Sequence, residues 1–205
     1  MKLSIIIPVF NERETIEEIL KRVIVAPVFN LEKEIIVVDD GSTDGTDEAL
    51  EKLKEKFNFL LLKHEKNLGK GAAIRTALNH ISGEIVLIQD ADLEYDPNDY
   101  QKLLSPILAG KTKVVYGSRN LNPQNKSFSK VYKFGGKFLS IFFNFVFKTK
   151  LTDVMTCYKV FKKEVISPSE LSENRFGFDC EITAKIVKKG FSILEVPISY
   201  RGRSF

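Results

Sequence analysis

Residues 86–97 read VLIQDADLEYDP, an apolar run that ends in two aspartates separated by one alanine. An apolar run of this kind predicts a buried β-strand. Side chains two residues apart at a strand end point to the same side, so we expect the carboxylates of Asp90 and Asp92 to lie together. Two adjacent carboxylates repel each other, and a bound Mg²⁺ or Mn²⁺ removes that cost. The alternative is a solvated turn, which is the commoner explanation of an isolated Asp-x-Asp.

Apolar runs alternate with amphipathic segments on both sides of this stretch. The predicted strands cover residues 3–10, 34–42, 59–64, 83–92, 113–119 and 191–200, and the predicted helices cover residues from 15, 44–57, 69–81, 98–108 and 177–190. Thr15 and Glu18 have the spacing of a capping box. The polar stretch 120–135 predicts a loop. The alternation predicts an α/β fold with a doubly wound, mostly parallel central sheet and helices on both faces.

Four of the predicted strands end in distinctive polar residues. These clusters are residues 8–12, 39–42, 90–92 and 117–119. The carboxyl ends of parallel strands share one edge of a sheet, which is where such folds bind ligands. The turn after the first strand lacks the GxGxxG fingerprint, and the glycines at 69 and 71 do not fit a P-loop. Those two glycines are explained equally well by a helix start or by a ligand contact.

Composition limits the possible functions. The chain has 205 residues, of which 43% are hydrophobic, and this is enough for one domain with a sizeable core. The net charge of +4 suits anionic ligands or a membrane surface, but does not argue for nucleic acid. Cys157 and Cys180 have no metal-site spacing, so we expect a reduced, cytoplasmic protein. No stretch has the roughly 18 apolar residues that a membrane-spanning helix needs.

Seven short motifs occur in a characteristic order along almost the whole chain. They are IIIPVFNE, VVDDGSTDGT, NLGKGAAIRTAL, DADLEYDP, YGSR, GFDCEI and EVPISYRGR. In this order they resemble the family 2 glycosyltransferases with the GT-A fold, and among these the polyprenyl-phosphate (dolichyl-phosphate) glucosyl- and mannosyltransferases. The resemblance implies inverting transfer of a hexose from UDP-glucose or GDP-mannose to a polyprenyl phosphate. It also implies that the reaction depends on Mg²⁺ or Mn²⁺ as a cofactor.

The resemblance also implies roles for individual residues. The expected nucleotide-sugar contacts are Pro8, Phe10, Glu12, Val38, Asp40, Asp90 and Ala91, the expected metal ligands are Asp92 and Glu94, and the expected phosphate contacts are Arg119, Lys133 and Arg203. Asp92 and Arg119 are therefore expected to act in catalysis. Asp179 and Glu181 are the candidate bases if the acceptor is a hydroxyl, although both could be ordinary first-turn acids of a helix.

The whole chain is expected to form one GT-A domain. Residues 1–119 would bind the nucleotide-sugar and residues 120–205 the acceptor. The apolar segment 137–150, with lysines at both ends, is expected either to contact the cytoplasmic face of a membrane or to pack as a buried helix. Three alternatives remain: a glycosyltransferase acting on a saccharide hydroxyl, a sugar nucleotidyltransferase, and a non-catalytic nucleotide-binding module. The nucleotidyltransferase is disfavoured because no Gly-rich basic loop follows the first strand.

Overall fold

The structure, a computed structural model, describes residues 1–125 and 130–203, without the side chains of residues 130–134. The described strands are β1 (Lys2–Val9), β2 (Glu32–Asp39), β3 (Leu60–Lys63), β4 (Ile85–Ile88), β5 (Val114–Ser118), β6 (Lys159–Lys162) and β7 (Ile193–Pro197). The described α-helices are α1 (Ile16–Val25), α2 (Thr46–Lys54), α3 (Lys70–Leu78), α4 (Tyr100–Leu108), α5 (Lys130–Phe147) and α6 (Phe178–Lys188).

All seven of these strands join one sheet in the order β3-β2-β1-β4-β6-β5-β7. Every pairing is parallel except those of β6, which runs antiparallel to both β4 and β5. The prediction of an α/β fold with a mostly parallel sheet is therefore confirmed. Strand β6 was missed because its sequence, KVFK, has a lysine at each end and only two apolar residues between them.

Burial explains why these segments form these elements. All four residues of β4 are buried, as are most residues of β1, so the centre of the sheet is covered on both faces. Helix α1 buries Ile16, Ile19, Leu20 and Val23, which lie on one face at helical spacing. The carboxyl ends of β1, β2 and β4 consequently lie side by side at one edge of a rigid sheet.

Two local predictions were wrong. Thr15 makes no capping hydrogen bond to its helix, because its hydroxyl donates instead to the main chain and carboxylate of Glu12. Glu18 pairs with Arg22 on the exposed face of α1, so no capping box forms. The loop predicted at 120–135 is also partly wrong, since helix α5 already begins at Lys130.

In helix α5 two polar side chains, Ser140 and Asn144, face the protein. Ser140 accepts a hydrogen bond from the main chain of Val154, and Asn144 bonds to Thr149 and Leu151. Six large apolar side chains face outward: Phe138 (64% exposed), Leu139, Ile141, Phe142, Phe145 (84%) and Val146. Thus the prediction of a buried helix holds only for the side that carries the buried Phe143. No helix within the described residues could cross a membrane.

Candidate active site

An open cleft of about 380 Å³ lies at the sheet edge where β1, β2 and β4 end. Seven of the residues predicted from the sequence line it: Pro8, Phe10, Glu12, Asp40, Asp90, Ala91 and Asp92. The parallel sheet brings them together although they lie up to 84 positions apart in the sequence. Val38 does not line the cleft, because it is fully buried within β2.

Asp40 fastens the loop that precedes helix α3. Its carboxylate accepts hydrogen bonds from the main-chain N–H groups of Leu68 (3.0 Å) and Gly69 (2.7 Å), and it also contacts Nδ1 of His64 at 2.7 Å. Asp40 is almost completely buried, so these bonds replace the water that its charge has lost. The loop is therefore held in a fixed position, with Lys70 at its end.

Lys70 neutralises Asp90. The ammonium nitrogen lies 2.6 Å from the Asp90 carboxylate. Burial raises the pKa of Asp90, but the charge of Lys70 and its hydrogen bond outweigh this and leave the Asp90 pKa below its usual range. Burial lowers the pKa of Lys70, and the charge of Asp90 outweighs it, so the Lys70 pKa lies well above its usual range. This ion pair was not predicted, because no sequence pattern links Lys70 to Asp90.

Among the described side chains, no cation forms an ion pair with the carboxylate of Asp92. Burial, followed by the charge of Asp90, raises the pKa of Asp92 to about 7. Its Oδ1 accepts a hydrogen bond from the main-chain N–H of Glu94. Arg203 donates to the main-chain oxygen of Asp92 and to the carboxylate of Glu12, with which it forms an ion pair. A carboxylate that is repelled by its neighbour and lacks a paired cation fits a divalent metal ion.

The predicted second ligand, Glu94, is engaged by the end of the chain. Its carboxylate accepts hydrogen bonds from the hydroxyl of Tyr200 (2.7 Å) and from the main-chain N–H of Arg203 (2.8 Å). Within the described residues no cluster of three or more Asp, Glu, His or Cys side chains could hold a metal. The donor set therefore fits a cation that takes most of its ligands from phosphate and water, as Mg²⁺ commonly does.

Arg119 lies outside the cleft lining and is bound by Asp153. Its Nε and Nη2 each lie 2.7 Å from a different oxygen of the Asp153 carboxylate, and its main-chain N–H donates to the same group. The guanidinium also lies 5.3 Å from the ring centre of Tyr200. Asp153 is only 2% exposed, so this two-point ion pair joins β5 to the segment after α5. The predicted phosphate role of Arg119 stays a prediction.

The two candidate bases are also engaged. Asp179 is buried and lies 2.5 Å from the ammonium group of Lys159, which is itself completely buried. Glu181 accepts hydrogen bonds from Ser172 and Glu173, and it pairs with Lys185. Burial raises the pKa of Glu181, but the hydrogen bonds from Ser172 and the other donors outweigh it and lower the Glu181 pKa to about 2.

The remaining predicted contact and two unpredicted ones complete the site. Lys133 belongs to helix α5, but its side chain lies outside the described residues. Arg175 and Phe176 also line the cleft, and the sequence prediction missed them. The available signal was an arginine next to an aromatic residue just before the predicted helix at 177–190.

Sheet order and cleft position together define a GT-A glycosyltransferase fold. A crystal structure of glucosyl-3-phosphoglycerate synthase from Mycobacterium tuberculosis in complex with UDP superimposes with a TM-score of 0.76, at 20% identity, and the match covers 100% of this chain and 72% of that one. The chain belongs to glycosyl transferase family 2, whose model matches residues 4–168. The family resemblance carried by the seven motifs is thereby confirmed.

Two further proteins match almost the whole of this chain. The dolichol-phosphate mannosyltransferase of Pyrococcus furiosus is 31% identical over 206 residues, which cover 98% of this chain and 56% of that protein. The mannosyltransferase PcManGT of Pyrobaculum calidifontis, solved with GDP-Man and Mn²⁺, is 25% identical with a TM-score of 0.69, and the match covers 96% of this chain and 55% of that one. The chain spans 56–63% of the length of the first curated relatives it matches.

Proposed function

We propose that this chain carries out inverting transfer of a hexose from UDP-glucose or GDP-mannose to a polyprenyl phosphate, with Mg²⁺ or Mn²⁺ as cofactor. Support comes from the family, from a relative named as a dolichol-phosphate mannosyltransferase and from a neighbour solved with GDP-Man and Mn²⁺. In this proposal residues 1–119 bind the donor and residues 120–205 bind the acceptor. The alternative acceptor is a saccharide hydroxyl.

The observation that carries the choice of acceptor is the state of the two candidate bases. Asp179 is held by Lys159 and does not line the cleft, and a Glu181 carboxyl with a pKa of about 2 is a weak base. A hydroxyl acceptor must lose a proton during attack, whereas a phosphate monoester is already largely dianionic near neutrality, with a second pKa of roughly 6. A site whose two candidate bases are both engaged therefore suits a phosphate acceptor.

The reaction then needs only one displacement. An oxygen of the acceptor phosphate forms a bond to the anomeric carbon, while the bond from that carbon to the nucleoside diphosphate breaks and its electron pair leaves with the diphosphate. The configuration at the anomeric carbon inverts. Asp92 would hold the divalent cation, which when bound offsets the charge that builds on the leaving diphosphate. Lys70 keeps Asp90 neutralised and fixed beside it.

The test compares a phosphate acceptor with two hydroxyl acceptors. Purified protein with Mn²⁺ and either UDP-glucose or GDP-mannose is given farnesyl phosphate, farnesol or a disaccharide. We expect product from farnesyl phosphate alone, with an inverted anomeric configuration by NMR. Transfer to the disaccharide but not to farnesyl phosphate would establish the hydroxyl-acceptor alternative. If the protein binds a nucleotide-sugar but neither transfers nor hydrolyses it, it is a non-catalytic binding module.

A lipid-linked acceptor also gives the outward face of α5 a role. We propose that this face contacts the cytoplasmic face of a membrane, with the aromatic rings at the acyl boundary and the lysines at 137, 148 and 150 near lipid phosphates. Six exposed apolar side chains on one helix face form a patch that water solvates poorly. The acceptor's tail could then stay in the bilayer while its phosphate reaches the cleft.

The membrane proposal is tested by flotation with anionic liposomes. Phe142→Ser/Phe145→Ser changes two exposed rings (59% and 84% exposed), so it should leave the fold intact and reduce flotation at low salt. The matched control is Phe29→Ser, which removes an exposed ring between α1 and β2, outside helix α5, and should leave flotation unchanged. Equal flotation of wild type and the folded double variant would exclude this face as the membrane contact.

A further inference from the structure

Residues 172–177, SENRFG, form a segment that crosses the first turn of helix α3, and we name it the strap. The main-chain N–H of Ala72 donates to the carbonyl oxygen of Asn174 at 3.1 Å. The guanidinium of Arg75 donates to the side-chain oxygen of Asn174 at 2.6 Å and to the carbonyl oxygen of Glu173 at 3.3 Å. The middle of the strap is thus fastened to α3.

Helix α6 fastens the start of the strap. The carboxylate of Glu181 accepts hydrogen bonds from the main-chain N–H groups of Ser172 and Glu173, each at 2.9 Å, and from the Ser172 hydroxyl at 2.7 Å. Lys185 pairs with the same carboxylate one helical turn further on. The strap is therefore a preorganised loop, and preorganised loops present side chains to a ligand with little entropy cost.

Gly69 and Gly71 allow the strap to lie directly on the backbone of α3. A methyl group at Gly71 would lie 2.3 Å from the carbonyl oxygen of Glu173, and one at Gly69 would lie 2.4 Å from the carbonyl oxygen of Asn174. Gly69 also has a φ of +105°, which side chains other than glycine rarely adopt. The two glycines whose role the sequence left open therefore make room for the strap.

This packing places Arg175 and Phe176 in the lining of the same cleft as Asp90 and Asp92. Phe176 is 73% exposed, and the guanidinium of Arg175 has no hydrogen bond or ion pair with any described side chain. The two arginines that the sequence analysis expected to contact phosphate already have partners: Arg119 pairs with Asp153, and Arg203 pairs with Glu12. Arg175 is thus the arginine in the cleft lining whose charge is available to an anion.

We infer that Arg175 binds the phosphate of the acceptor and that Phe176 contacts the first isoprenoid units next to it. The inference rests on the proposed function and names the acceptor contacts within it. A polyprenyl phosphate carries a dianionic head joined directly to an apolar chain, and the strap offers a guanidinium joined directly to an exposed ring. Arginine suits this role because its planar donors match phosphate oxygens.

The test measures acceptor and donor parameters separately in Arg175→Gln. The KM for farnesyl phosphate should rise about tenfold or more, the loss expected for one charge-assisted hydrogen bond. The Kd for UDP or GDP with Mn²⁺, measured without acceptor, should stay within about twofold of wild type. The matched control is Arg22→Gln, which removes an exposed arginine of α1 that does not line the cleft. It should change neither the KM for farnesyl phosphate nor the Kd for the nucleotide. The KM of Arg175→Lys for farnesyl phosphate should lie between those of wild type and Arg175→Gln.

Phe176→Ala tests the second contact. Its KM should rise for farnesyl phosphate and stay unchanged for methyl phosphate, which has no isoprenoid unit for the ring to contact. A folded Arg175→Gln with an unchanged acceptor KM would overturn the inference while leaving the proposed function intact. Equal weakening of UDP or GDP binding without acceptor would assign Arg175 to the donor instead. If wild type itself makes no product from any isoprenyl phosphate, the proposed function fails, and the inference fails with it.

Discussion

Asp92→Asn should stabilise the metal-free protein at alkaline pH. In the folded chain the pKa of Asp92 is raised from 3.8 to about 7, first by burial and then by the charge of Asp90. The folded state therefore holds a proton that the unfolded state has lost, so this stabilising contribution is complete below the unfolded pKa of roughly 4 and is lost as pH rises through 7. Above that range wild type keeps an unfavourable buried charge that asparagine does not have.

The magnitude follows from the size of the shift. A shift of about three pKa units corresponds to ~4 kcal/mol, which is an upper bound because asparagine must also be desolvated. If about a quarter to a half of it is recovered, Asp92→Asn gains ~1–2 kcal/mol at about pH 8, which is roughly 2–8 °C in Tm for a chain of this length. Near pH 5 the gain should be smaller, and it should approach zero only below the unfolded pKa of roughly 4, where Asp92 is neutral in both states.

The assay is thermal unfolding with a chelator across pH 5 to about 8, followed by the same series with Mn²⁺. Wild type should gain Tm from Mn²⁺ at high pH by mass action, and Asp92→Asn should gain little. Glu55→Gln, an exposed acid on the surface, is the control for loss of one negative charge. A Tm difference that does not grow with pH, or a less stable variant at about pH 8, would refute the reasoning about this carboxylate.

Three further perturbations test the contacts of the site. Arg119→Lys cannot reproduce the two-point contact with buried Asp153, so Tm should fall by roughly 2–8 °C in a thermal melt; an unchanged Tm with lower kcat/KM would instead support the donor-phosphate role. Asp179→Asn should lower Tm because it leaves Lys159 buried without its counter-ion, and it should keep the wild-type pH–rate profile; a folded, stable but inactive variant would make Asp179 the base. Gly71→Ala should displace the strap, which limited proteolysis at 172–177 would detect; wild-type resistance would contradict that packing.

The sequence was sufficient to predict the sheet and the acids of the cleft because both follow from local pattern. Apolar runs that alternate with helices require a parallel sheet, and a parallel sheet places every strand end at the same edge. Asp40, Asp90 and Asp92 could therefore be brought together without any knowledge of side-chain contacts. Glu12 and Phe10 followed in the same way from the end of β1.

The partners of these residues could not be predicted, because they depend on packing between distant segments. Arg119 and Asp153 are 34 positions apart, and no periodicity links them. Lys159 was unexpected for a different reason: lysine is rarely buried completely, so a segment with a lysine at each end was not identified as a strand in the middle of the sheet. The position of the strap likewise depends on the contacts that it makes with α3 and with α6.

Asp90 and Asp92 differ because, among the described side chains, only Asp90 has a paired cation. Their environments move the two pKa values in opposite directions, Asp90 downward beside Lys70 and Asp92 upward beside Asp90. Paired carboxylates with divergent pKa values divide a task between them. Asp90 stays ionised and joins β4 to α3, while Asp92 retains an unbalanced charge that a divalent ion would relieve.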